Sequence, residues 1–463
     1  MTTKNAIIIS DLQYGDAGKG SIVDYLTREH DAHTVIRFNG GAQAAHNVVT
    51  PDGRHHTFAQ FGAGMFVPGV QTYLSRYMLI DPPAMLAEGD GLAANGVANP
   101  FTRTIIDRDA LIISPFQQYA NRLRELARGD GRHGSCGMGI GETMADWLAH
   151  GEDVLFTRDL ADAVSARRKL RFLREMKADA LTHEFASLAG NANAREMIAA
   201  FTDDDLIDAC IEVYAYLAER ATVVDAGFLA DLLARDGTVI FEAAQGVLLD
   251  EWYGFHPYTT WSTTTFENAN ALLAEHNYTG AVTRYGLIRA YMTRHGAGPF
   301  VSESADLTRL IPDYHNGTNP WQQAFRVGYF DALAIRYAME AAGEMDALVV
   351  TNLDRMVGVP QWQVCTGYTY GGDAGDLDTY FVREDDRITG IRVNHNRDLD
   401  YQAELTRRLW DCDPIYETLF ACHGNTEAYV AWLEALLDNP VAITSSGVTA
   451  DDKQRRVPQS VTP

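Results

Sequence analysis

The sequence predicts an α/β fold, a large, mainly parallel central sheet with flanking helices and a helical insertion. Three observations carry that expectation. Short apolar, β-branched runs recur between longer helical patterns, as repeated strand–helix–strand units require. A glycine-rich turn stands between the first of these runs and a helical pattern. Residues 157–236 carry charged, Leu- and Ala-rich helical periodicity with little strand character, as in ARRKLRFLREMKADALTHEF and DDLIDACIEVYAYLAERA.

Along the chain the runs are AIIIS (6–10), HTVIRF (33–38), GTVIFEA (237–243), YGLIRAYMT (285–293), DALVVTNLD (346–354) and PVAITSS (440–446). Continuous apolar runs, rather than alternating ones, fit strands covered on both faces. GGDAGDLDTYFVREDD (371–386) reads as a loop leading into a peripheral β-element, and the polar tail after Gly447 as mobile towards its end. With no internal repeat and no low-complexity tract, residues 1–463 read as one domain interrupted by the helical insertion.

A chain with 46% hydrophobic and 22% charged residues can bury a sizeable core. No window approaches membrane-spanning length, and MTTKNAIIIS lacks the features of a secretory signal, so the expected compartment is the cytoplasm. Cys136, Cys210, Cys365, Cys412 and Cys422 include no CxxC pair, which argues against a disulfide framework and a structural zinc site. The net charge of −24 disfavours nucleic acid and anionic membrane as partners. An anionic substrate then needs a local cluster of donors.

The stretch YGDAGKGSIVDYL (14–26) is the first place to find one. Glycines let backbone N–H groups approach an anion, a helix N-terminus favours negative charge, and Lys19 adds a point charge. The spacing GDAGKGS differs from the common GxxxxGK[ST] loop. Asp16 inside such a loop is electrostatically expensive unless it binds a metal or moves a proton. Four further stretches carry chemistry-bearing residues: FNGGAQAAHNVV (38–49) with His46, HGSCGMGIGETMADW (133–147), FEAAQGVLLDEWYGFHPYTTWSTTT (241–265) with Gln245, and TNLD (351–354). TNLD ends an apolar strand, where α/β folds place ligand contacts, and a carboxylate there can accept two N–H donors from a guanine edge.

Together these stretches resemble the adenylosuccinate synthetase family. GDAGKGSIVDYL matches its GDEGKGKIVDLL, IRFNGGAQAAHNVV its RxxGGxNAGHT turn, FEAAQGVLLD its FEGAQGTLLD, and RHGAGPF its RVGAGPFPTE; TNLD, DPIYETL and TSSG match TKLD, EPIYETM and STG. The resemblance implies a P-loop-NTPase-like fold and a GTP- and Mg²⁺-dependent ligase that joins a 6-oxopurine nucleotide, IMP by default, to L-aspartate. It implies Asp16 as the general base at purine N1, His46 as the general acid towards the γ-phosphate, and Lys19 as the phosphate cation. It assigns GTP to Gly15, Gly18, Lys19, Gly20, Ser21, Asp354, Ser445 and Gly447, with the guanine held in the C-terminal part at about 346–453. It assigns the purine nucleotide and amine to Gln43, Ser135, Cys136, Gln245, Thr260 and Arg326, and Mg²⁺ to Asp16 and Ala45. It also implies a homodimer.

The departures concern the substrates. Ala17, Ser21, Gln43 and Ala45 replace the family's Glu, Lys, Asn and Gly, and Ser135, Cys136 and Met138 replace Thr, Thr and Arg of GTTGRGIG. His150 aligns with the arginine that reaches across the dimer interface. Where the family has a threonine-glycine-arginine run for aspartate, this chain reads HNGTNPWQQAFRVGYFD (315–331), with Arg326 its only cation. Arginine is the natural bidentate partner of a carboxylate. The loop therefore predicts weak aspartate binding, a site rebuilt from Arg326, Asn316 and Gln322 or Gln323, or another amine. A paralogue acting on GMP or dGMP, or on another nucleoside, is the alternative. A regulatory GTP-binding protein or a non-catalytic paralogue would need neither Asp16 nor His46.

Overall fold

The computed structural model describes residues 4–313, 321, 324–373, 375–422 and 424–456. Its centre is the first apolar run. Strand Lys4–Asp11 is hydrogen-bonded in parallel on both sides, to Gly237–Glu242 and to Ala281–Arg289, and both its faces are covered, Ile7 and Ile9 packing into one apolar cluster and Ile8 into another. The full sheet runs Lys453–Arg455, Val441–Ser445, Ala347–Thr351, Ala281–Arg289, Lys4–Asp11, Gly237–Glu242, Thr34–Arg37, Gln71–Leu74, Thr104–Asp107, Thr222–Val224. Every neighbouring pair is parallel except the edge strand Lys453–Arg455, which is antiparallel to Val441–Ser445.

Helix Lys19–Glu29 lays Ile22, Val23 and Leu26 on one face of the sheet, each such side chain contributing about 1.5–3 kcal/mol relative to exposure. A second, five-stranded sheet is formed by Phe330–Asp331, Gln363–Tyr370, Phe381–Glu384, Arg387–Ile391 and Cys412–Thr418. Helix Ala332–Ala342 packs in its core, capped by the Asp331 carboxylate on the Leu333 and Ala334 N–H groups.

Sequence and structure part company in four places. The run YGLIRAYMT is two strands: the chain leaves the main sheet after Arg289, and Met292–His295 pairs instead with Phe325–Gly328. Strands Gln71–Leu74 and Thr104–Asp107 are too short to stand out as runs. Within 157–236, helices Ala163–Ala180, Thr182–Leu188, Ala192–Ala199 and Asp205–Arg220 are followed by Thr222–Val224, an edge strand of the main sheet. The polar tail forms strand Lys453–Arg455, just before the described residues end at 456.

Lys177 fixes the helical segment to helix Ile140–His150 through Glu142 at 2.6 Å and Asp146 at 2.7 Å, all three buried. Because the central strands are parallel, the loops that follow Lys4–Asp11, Thr34–Arg37, Gly237–Glu242, Ala281–Arg289, Ala347–Thr351 and Val441–Ser445 leave the sheet on one side. Asp16, His46, Gln245, Asp354, Ser445 and Gly447 all lie on those loops or at their ends.

Candidate active site

The turn after Lys4–Asp11 is built around Asp11. Its buried carboxylate accepts the Gln13 N–H at 2.8 Å, the Ala17 N–H at 2.7 Å and the Lys19 ammonium at 3.1 Å. Lys19 also donates to the Gly15 carbonyl at 2.6 Å, so in this structure the expected phosphate cation is buried and holds its own loop together. Gly15 has φ 104°, and a Cβ there would stand 3.0 Å from Gln245 Cα. A Cβ on Gly20 would stand 2.9 Å from the carbonyl carbon and Cβ of His46. These two glycines bring the phosphate loop against both Gln245 and His46.

Asp16 is half-buried at the tip of the loop. Its backbone carbonyl accepts from Arg289 Nε. Burial alone would lower the Arg289 pKa, but Tyr291, Asp16 and Asp313 outweigh it and keep the guanidinium charged. Sequence reasoning missed Arg289; its only signal was its place at the end of an apolar strand.

His46 is 5% exposed, and its Nδ1 lies 2.6 Å from Glu242 Oε1. Burial drives the imidazole pKa from 6.5 down to about 4, against the opposing pull of Glu242. Glu242 closes strand Gly237–Glu242 and is completely buried; burial pushes its pKa up, yet Arg37, His46 and the Ala63 N–H together bring it below the usual value. The pair is a neutral histidine donating from Nδ1 to a carboxylate, which leaves Nε2 for a ligand. Glu242 was also missed, although it is the second residue of the quoted FEAAQG stretch.

The amides form the next layer. Asn39 and Ala244 exchange hydrogen bonds at 3.0 and 2.7 Å, tying the histidine turn to the Gln245 turn. Gln245 Nε2 donates to Thr260 Oγ1 at 3.2 Å, so these two expected nucleotide contacts meet directly. Gln245 Oε1 and both amide atoms of Gln43 are buried without a hydrogen-bond partner. All lie within 3.4 Å of where a Cβ would stand on Gly40 or Gly41. Buried polar atoms are rarely left unpaired in folded proteins, and a purine edge offers matching donors and acceptors.

The 133–147 stretch is held from behind. Ser135 Oγ pairs with the Asn121 amide at 3.0 Å, Glu125 accepts the Gly134 N–H at 2.9 Å, and Arg122 donates to the Gly137 carbonyl at 2.8 Å. Cys136 is half-buried in that loop. Arg326 donates to Glu303 at 2.6 Å and to the carbonyls of Gly296 and Gly298. It borders a cavity of about 330 Å³ together with Arg132, Asp130, Tyr258 and Trp410. Asn316, Gln322 and Gln323 lie outside the described residues.

At the other end, Asp354 is exposed on the helical turn Leu353–Met356. Ser445 Oγ donates to the Gly447 carbonyl at 3.2 Å, and Thr351 Oγ1 donates to the Ala17 carbonyl at 2.9 Å, joining this corner to the phosphate loop. Ser21 Oγ donates to the Gly18 carbonyl at 3.2 Å, with Gly18 in the left-handed region at the helix start. Among the described residues no group of three or more His, Cys, Asp or Glu could hold a metal alone. Mg²⁺ commonly takes only one or two carboxylates and completes its shell with water and substrate phosphate. Asp16 fits that role, whereas Ala45 is exposed and offers only its backbone carbonyl.

Residues 8–454 match the family model described as adenylosuccinate synthetase. The chain belongs to the adenylosuccinate synthetase family. Its members are ligases that form a carbon–nitrogen bond, and this chain is one of them. An adenylosuccinate synthetase of Parafrankia sp. (strain EAN1pec) is 32% identical over 451 residues, 96% of each chain, and one from Magnetococcus marinus is 29% identical over 460 residues, covering 95% of this chain and 96% of its own. The fully ligated adenylosuccinate synthetase of Plasmodium falciparum superposes with a TM-score of 0.75 over 99% of this chain and 100% of its own, at 18% identity. The succinoaminodeoxyadenylate synthetase of cyanophage S-2L, described as bound to dGMP and dATP as an energy donor, superposes at 0.58 over 98% and 95%, at 15% identity. At such identities these two establish the adenylosuccinate synthetase fold.

Proposed function

We propose that the protein joins a 6-oxopurine nucleotide, IMP by default, to L-aspartate at the expense of GTP, through a 6-phosphoryl intermediate. The observation that carries this reading is the convergence of Asp16, the His46–Glu242 pair, the unpartnered amide of Gln43 and the unpartnered Oε1 of Gln245. Gln43 and Gln245 would orient the purine. Asp16 would take the N1 proton as O6 attacks the γ-phosphorus and GDP leaves. His46, fixed at Nδ1 by Glu242, would present Nε2 to the γ-phosphate, whose charge favours the imidazolium. The amine then attacks C6, loses a proton, and phosphate departs. Asp16, with the Ala45 carbonyl, would hold Mg²⁺, which supplies charge neutralisation on the phosphates. Phosphoryl transfer relies on such positioning and electrostatics more than on covalent help.

The second reading changes the acceptor or the amine, and Arg326 favours it. That guanidinium is already engaged by Glu303 and two carbonyls. Against it, the cavity that Arg326 borders also carries Arg132, a second cation that suits the amino dicarboxylate of the first reading. If that cavity seats the amine, Arg326→Leu raises KM for aspartate by tenfold or more and leaves KM for the purine unchanged; both constants unchanged would make Arg326 structural. The reading as a whole is tested by mass spectrometry of the succino-adduct with Mg²⁺, GTP and L-aspartate, varying the purine among IMP, dIMP, GMP and dGMP. An adduct from IMP supports the first reading. An adduct only from a guanine nucleotide supports the 2-aminoadenine route, and GDP without any adduct points to another amine.

We further place the protein in the cytoplasm as a homodimer. Trp147 and Leu148, exposed beside His150 at the end of helix Ile140–His150, support an interface there.

A further inference from the structure

We infer that Lys453 selects the base of the donor nucleotide, its ammonium pairing with the 6-oxo group of guanine while Asp354 takes the ring N–H and the 2-amino group. The inference rests on the proposed use of GTP and adds a residue to that site. Lys453 opens the antiparallel edge strand and stands in register opposite Ser445. Its Nζ donates to the Gly447 carbonyl at 2.9 Å, at the turn expected to flank the guanine. The side chain is 6% exposed, unusual for lysine unless it is paired.

Three carboxylates bear on this ammonium: Asp452, Asp24 and Asp354. Asp452 is engaged by the Thr449 N–H and hydroxyl, and Asp24 by Arg28 through two hydrogen bonds at 2.9 Å. Asp354 is the exposed one, on the helical turn that packs against strand Val441–Ser445. The corner therefore presents a desolvated cation with spare donor capacity beside an open carboxylate. Guanine carries an acceptor, O6, next to two donors, N1–H and the 2-amino group, and matches that order. Adenine carries a donor, the 6-amino group, next to an acceptor, N1, and opposes it at both positions. Asn352 occupies the place of the lysine in the family's TKLD, with its Oδ1 accepting from Thr351 Oγ1 at 3.0 Å. This chain thus brings its cation from the edge strand instead.

Equilibrium binding of GDP and ADP to the full-length protein, by calorimetry, tests this. Lys453→Met keeps the length and apolar stem. Loss of one buried polar partner discriminates strongly, so the expected result is a GDP affinity lowered about 10–100-fold with ADP changed less than about threefold. Lys453→Gln, which can still donate to O6, recovers part of the loss. If folded Lys453→Met or Lys453→Gln keeps the wild-type ratio of GDP to ADP affinity, the lysine is structural and the inference is overturned. A wild-type protein with no preference for GDP overturns the GTP reading itself, and the inference with it.

Discussion

Asp16→Asn lowers phosphate release by about 10²–10⁴-fold, the range a positioned general base supplies, while GDP and purine affinities stay within about threefold of the wild type. The asparagine keeps the shape of the loop, and the contacts that build it are unaffected: Asp11 still accepts from Gln13, Ala17 and Lys19, and Arg289 still grips the backbone carbonyl of residue 16. What is lost is a carboxylate able to take a proton and to accept a cation. Malachite-green phosphate release and calorimetric binding separate the two. Full activity would remove Asp16 from the chemistry, and loss of binding in step with turnover would make it a structural part of the loop.

Glu242→Ala lowers stability by about 3–5 kcal/mol, the cost of breaking a buried charge pair on one side. Arg37 is completely buried and, among the described residues, donates to the carbonyls of Ala59 and Phe61, so Glu242 supplies its counter-charge. The Ala63 N–H and His46 Nδ1 lose their acceptor as well. The same cluster sets a pH dependence. His46 has a folded-state pKa of about 4 against 6.5 unfolded, so between those values the unfolded state binds more protons and stability rises with pH. It is lost as the pH falls through the window, by up to about 3 kcal/mol for this one group. Urea unfolding at pH 5, 6 and 7 should show a shallower slope in His46→Gln than in the wild type; an unchanged slope would place the imidazole in a more solvated setting than its burial indicates.

The parallel sheet was legible because its central strands are continuous apolar runs, a pattern imposed by covering both faces. Gln71–Leu74, Thr104–Asp107 and Thr222–Val224 were not, since each offers only two consecutive apolar residues, whereas Phe38 extends the equally short Thr34–Arg37. In the site, glycine spacing pointed to Asp16, His46 and Gln245, which the structure brings to one edge. Glu242 and Arg289 stayed hidden because their meaning depends on contacts far along the chain: His46 and Glu242 are 196 positions apart. Asp11 was passed over although its partners Gln13, Ala17 and Lys19 lie in the same turn. A strand-terminal acid has no local mark that distinguishes a partner of histidine from an ordinary end. Lys453 was concealed in a polar tail whose composition gave no hint of a buried edge strand.

The central claim is that the purine oxygen takes up the γ-phosphoryl group and leaves with it as phosphate. A 6-oxopurine nucleotide carrying ¹⁸O on C6, incubated with GTP, Mg²⁺ and the amine that yields an adduct, tests it in one mass spectrum of the released phosphate. The account predicts one ¹⁸O in inorganic phosphate for every adduct formed. Adduct accompanied by unlabelled phosphate would contradict it.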